Sequence, residues 1–217
     1  MTQSSIVSAA DYADALFAAR KARRILFIAL SLLLLGQVGL FFAARYSQIL
    51  VDSDPANPAP LKQLFQYGIG LIDFLGLILP TLYAVVLLLI LNVMLVGRLL
   101  GAGHLTKAFF WSIVLILLLF PWQSFLNNPV LNNDPSGIRI PGVLYTWTEL
   151  IHPRLGARFS TDLDVNLRIL RWTRFVGFPI VALFILLYTH RSSGRGLRRA
   201  IGKPTAPGNE IIPIADR

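Results

Sequence analysis

Four stretches of this chain are apolar almost without interruption, and the polar residues collect between them. The runs lie at about 25–44, 67–96, 108–126 and 175–188. At a rise of about 1.5 Å per residue, roughly 20 helical residues cross a hydrocarbon layer about 30 Å thick. The first run meets that length. The second exceeds it, and tilt or a bend at Pro80 accommodates the excess. The third closes on Pro121, Trp122 and Gln123, where an indole keeps its ring apolar and its N–H wet. The fourth is the shortest and contains Gly177 and Pro179; a full crossing and a re-entrant hairpin both fit its length. The pattern predicts an all-α polytopic membrane protein of four transmembrane helices, with short amphipathic interfacial helices.

The segments between the runs organise the rest. Residues 1–24 form an amphipathic lead-in, with Ile6, Ala9, Ala13, Leu16 and Phe17 at helical spacing and a basic block from Arg20 to Arg24. A secretory signal is the rival reading of this start, but its apolar region is usually about 7–15 residues, so the first run is expected to be a retained helix. Spans one to three occupy 25–126. Residues 45–66 carry Asp52, Asp54, Pro55, Pro58 and Pro60 and read as a turn-rich loop with no room for a helix. A short link through Gly101 and Gly103 implies an antiparallel hairpin of spans two and three, with Thr106 as cap of the helix that follows. Residues 127–173 form one extended exterior segment. Its end is amphipathic: Leu163, Leu167 and Leu170 share a face that lies at the interface, while Asp164 and Arg168 pair at i,i+4. The fourth span occupies 174–189, and 190–217 reads as a basic, disordered tail.

Composition agrees with this layout. The chain has 217 residues, 55% of them hydrophobic and 14% charged, with a mean hydropathy of +0.63, against about 25% charged in soluble domains. A net charge of +9 invites a nucleic-acid reading, yet the basic residues flank apolar runs, where they set membrane orientation. No nucleic-acid partner is expected; membrane-surface phosphates are the expected counter-charge. With both termini inside, the interior segments carry 12 Lys and Arg against 8 outside. Arg168, Arg171 and Arg174 run against that orientation. The expected location is a bacterial inner membrane with cytoplasmic termini.

Chemistry-bearing residues are few. The chain has no cysteine, so thiolate metal sites and disulfides are excluded. His104, His152 and His190 lack the spacing of a helical metal site, and no catalytic set or cofactor loop is recognisable. Asp73 is the one acid inside a span and is therefore a candidate for a proton or cation site. It also lies about two turns from the expected start of span two, within reach of interfacial water. Gln37 and Asn92 are buried amides that line a path or bond between helices. Gly36, Gly39 and Ala43 give span one a small-residue face for helix packing, as Gly68, Gly70 and Gly76 do for span two. Arg195, Arg198 and Arg199 are candidates for lipid headgroups, and the four tryptophans for interfacial anchors.

Three functions follow as expectations. The first is a non-catalytic accessory or structural subunit of a larger membrane assembly, whose partners are the bilayer and other membrane subunits or copies of itself. The second is a small transporter or channel that uses Asp73, Gln37 and Asn92. The third is a lipid-directed enzyme that uses Glu149, His152 and Arg154.

Overall fold

The first, second and fourth apolar runs become helices that extend past their own ends, while the helix of the third begins earlier than expected and closes at Leu119, short of the expected end at 126. The computed structural model describes residues 9–46, 60–120, 122, 143–145, 150 and 165–200. Helix α1 spans Ala9–Tyr46, α2 Pro60–Val96 and α3 Ala102–Leu119. A short α4 (Val165–Trp172) runs through a π-helical turn, Thr173–Gly177, into α5 (Phe178–Ala200). Four of these segments are long and apolar enough to cross a membrane. The described residues contain no strand.

The helices alternate in direction and pack in the cyclic order α1, α2, α3, α5, each against two neighbours. The start of α1, the α2–α3 link and the end of α5 therefore share one end of the bundle. That end carries Arg20, Arg23, Arg24, Arg195 and Arg198, and we call it the basic end. A continuous core runs through the middle, built from Leu30, Leu34, Tyr83, Leu87, Leu115 and Leu186 among others. At the opposite end a second cluster gathers Phe41, Ile69, Tyr145 and Phe175. There Phe41 stacks on Phe175 with ring centroids 4.9 Å apart.

Several boundaries differ from the sequence expectation. Helix α2 begins at Pro60, inside the segment expected to be a loop. Proline suits a first helical position, because its missing N–H has no intrahelical partner there anyway. The same helix continues through Pro80 without interruption. Helix α5 runs on to Ala200, through the first part of the expected tail; residues beyond it, and Glu149, His152, Arg154 and Trp147, lie outside the described residues. Thr106 is not a cap. Helix α3 starts four residues earlier, and the Thr106 hydroxyl donates to the Ala102 carbonyl at 3.2 Å.

The α2–α3 link is a defined turn. The Leu99 N–H donates to the Met94 carbonyl at 2.8 Å and the Arg98 N–H to Leu95 at 3.1 Å. That pair of bonds is the Schellman pattern, which places its next-to-last residue in the left-handed region. Arg98 occupies that position with φ 47°. Gly101 follows with φ 99°, and the backbone of Gly196 in α5 lies directly against it. A Cβ on Gly101 would sit 2.6 Å from the Gly196 carbonyl oxygen. This glycine–glycine contact fixes how deep α5 sits against α3.

Candidate functional site

Two polar groupings lie within the bundle, one near each end. Toward the end opposite the basic cluster, residues 143–145 cross the bundle as a strap, all three buried. The Val143 N–H donates to the Leu118 carbonyl of α3 at 3.3 Å. Leu144 lies over Gly76 of α2, close enough that a Cβ there would be 2.8 Å from it. The Tyr145 hydroxyl donates to the Gln37 carbonyl of α1 at 2.5 Å. Burial, and then the nearby Asp73 carboxylate, raise the Tyr145 phenol above its ordinary value. Gln37 is buried while Asp73 is half-buried; Tyr145 meets the backbone of the first and lies near the carboxylate of the second, and the Gln37 amide oxygen has no hydrogen-bond partner among the described residues. Asn92 is not part of that group; it lies on an exposed face of α2. Asp73 also sits further along its helix than the sequence reading placed it, because α2 starts at Pro60.

The predicted packing glycines divide. Gly36 faces Ile72 of α2 at 3.8 Å and Gly76 receives Leu144, while Gly39, Gly68 and Gly70 have nothing within 4 Å. Ala43 is half-buried.

The second grouping lies at the basic end, between α1 and α5. A cleft of about 380 Å³ opens there, with Arg20, Arg23 and Arg24 of α1 facing His190, Arg191, Arg195 and Arg198 of α5. Arg23 is only 6% exposed. One of its terminal nitrogens donates to the Ser193 hydroxyl at 2.7 Å, and that hydroxyl in turn donates to the Thr189 carbonyl at 2.8 Å. The guanidinium lies against Gly194, where an added Cβ would be 3.8 Å from both terminal nitrogens. Tyr83 of α2 is fully buried. His190 stacks on Phe27 with ring centroids 4.0 Å apart. Nearby, the Ser192 hydroxyl donates to the His104 carbonyl of α3 at 2.9 Å, which ties the same stretch of α5 to a second helix.

Of the expected headgroup residues, Arg195 and Arg198 line this cleft. Arg199 faces the α2–α3 link instead, its Cβ 3.1 Å from the place a Cβ on Gly101 would take. Arg23 is the residue the sequence reading passed over, as one of four bases in a row of five. A signal existed. Leu16, Arg23, Leu30, Gln37 and Ala44 recur every seven residues and are all buried, so Arg23 occupies the inward seam of α1. The same register marks Gln37.

Comparison of the chain with protein-family models, curated proteins and solved structures gives no match. Function must be argued from these two groupings.

Proposed function

We propose that the protein is a non-catalytic accessory or structural subunit of a larger membrane assembly. The observation that carries this reading is a set of hydrogen bonds that tie segments of the bundle together. The Tyr145 hydroxyl bonds to the Gln37 backbone carbonyl, Arg23 to the Ser193 hydroxyl and the Ser192 hydroxyl to the His104 backbone carbonyl, and each bond joins one segment of the bundle to another. Interhelical bonds of this kind hold membrane helices in register. A framework held this way positions surfaces for neighbours, and the open glycines Gly39 and Gly70 leave places on α1 and α2 where another helix can approach closely.

Solubilisation of the native membrane in mild detergent tests this reading. The protein is expected to migrate with partners at fixed stoichiometry, as other subunits or as copies of itself. A monodisperse single chain that never brings down a partner would overturn it.

A transporter is the second reading, favoured by the meeting of Gln37, Asp73 and Tyr145. Against it, the strap 143–145 packs across that group, and Asn92 lies on another face. Flux in proteoliposomes that falls on Asp73→Asn would revive it.

The proposed orientation places the basic end in the cytoplasm of a bacterial-type inner membrane, following the positive-inside rule. Arg171, which counted against it, is buried within the protein and so is withdrawn from the membrane surface.

A further inference from the structure

The basic cleft brings six arginines and a histidine onto its walls, and none of the lining residues is acidic. Like charges this close repel one another, and a counter-anion seated among them removes the penalty. The geometry is that of a built site. Arg23 forms its floor, and a second residue, Ser193, holds its planar guanidinium in place. Its Nε, and Nδ1 of His190, are buried without a hydrogen-bond partner, and buried polar groups normally have one. A fixed guanidinium with further arginines around it matches the oxygens of a phosphate group, which accept several charge-assisted bonds at once. The volume falls near the lower end of the range for small-ligand pockets.

The cleft also has a direction. One to two turns further along the same two helices, Ile28 of α1 and Phe184 of α5 are exposed apolar side chains, on helices apolar enough to span a membrane. A ligand with a phosphate head and acyl tails meets matching chemistry along both parts of its length. We propose that the cleft between α1 and α5 is a binding site for the phosphate group of an anionic lipid. Arg23 seats the phosphate, and Arg195 and Arg198 close over it. This site stands independently of the accessory-subunit reading, since either can fail alone.

The test uses the full chain, delipidated and then offered phosphatidic acid or phosphatidylcholine, with retained lipid read by native mass spectrometry. Phosphatidic acid is expected to be retained about tenfold or more over phosphatidylcholine, the factor that loss of one charge-assisted contact corresponds to. The pair Arg195→Gln and Arg198→Gln, both exposed and so tolerable to the fold, is expected to abolish that preference. Lys21→Gln with Lys107→Gln removes two exposed charges from α1 and α3 outside the cleft and is expected to leave the preference intact. A parallel titration with inorganic pyrophosphate separates the sources. Binding with the same dependence on Arg195 and Arg198, without any preference among lipids, would keep the phosphate site but overturn its assignment to lipid. Equal retention of the two lipids without pyrophosphate binding, or equal loss in the two double variants, would overturn the site itself and reduce the cleft to diffuse surface charge.

Discussion

The contact between Gly101 and Gly196 gives the sharpest prediction about what holds this bundle together. Replacing Gly101 with alanine imposes two separate costs. The first is conformational: φ of 99° lies in the region that residues with a Cβ avoid, at a cost of about 1–3 kcal/mol. The second is steric. The new Cβ would sit 2.6 Å from the Gly196 carbonyl oxygen, 3.1 Å from the Arg199 Cβ and 3.2 Å from the Gly196 Cα. Two of those three atoms are backbone, so no side-chain rotation relieves the overlap, and forced separation of packed elements costs about 1–3 kcal/mol more. Together Gly101→Ala is expected to destabilise the protein by about 2–6 kcal/mol. Gly39→Ala is the matched control: nothing lies within 4 Å, and alanine is the better helix former by up to about 1 kcal/mol. Reversible unfolding in mixed detergent micelles, followed by circular dichroism, measures both. The reasoning fails if Gly101→Ala lies within about 1 kcal/mol of the wild type, or if Gly39→Ala is equally damaging, the threshold being the smaller of the two costs.

Two further outcomes are expected. Ser193→Ala removes the acceptor of a buried guanidinium and is expected to cost about 1.5–3 kcal/mol; combining it with Arg23→Met is expected to recover part of that loss in a double-mutant cycle, and strict additivity would show that the bond carries no coupling. Tyr145→Phe removes the bond to the Gln37 carbonyl, at about 0.5–1.5 kcal/mol near neutral pH. It also changes the alkaline limb. The folded phenol is raised by burial and then by Asp73, whereas in the unfolded chain it ionises near pH 10. Its contribution is thus complete below about pH 10 and is lost as pH climbs from there toward the folded value. Alkaline unfolding of the variant is therefore expected to be shallower than that of the wild type, and parallel curves would contradict the burial of this phenol.

The spans were legible because a run of Leu, Ile, Val and Phe has one economical place to go. Their ends were not. At 60–66 the charge and amides of Lys62, Gln63 and Gln66 mask a helix that the neighbouring span propagates, since extension from an existing helix avoids the cost of nucleation. At 190–200 the run Arg-Ser-Ser-Gly-Arg-Gly has poor helix propensity, yet Ser192, Ser193, Gly196 and Leu197 are buried. Packing against α1 and α3 overrides local preference there. The candidate site divides in the same way. Arg195 and Arg198 announce themselves as an exposed basic cluster, but Arg23 differs from Arg20 and Arg24 only by its register on the helix. The partnership of Gln37 with Tyr145 was out of reach, because it joins positions 108 apart in sequence through a segment with no periodicity to read.

Among the described spanning helices α5 comes last along the chain, and it brings Ser193 to Arg23. During synthesis, therefore, three helices enter the bilayer while the guanidinium of Arg23 still lacks its internal acceptor. A long cationic side chain in that position reaches for the aqueous boundary, which holds the nascent first helix shallow in the membrane. Arrival of the fourth helix supplies that acceptor, so closure of the bundle and the final depth of its first helix are expected to be coupled. A chain cut short before residue 178 lacks Ser193 and is expected to keep Arg23 at the aqueous boundary.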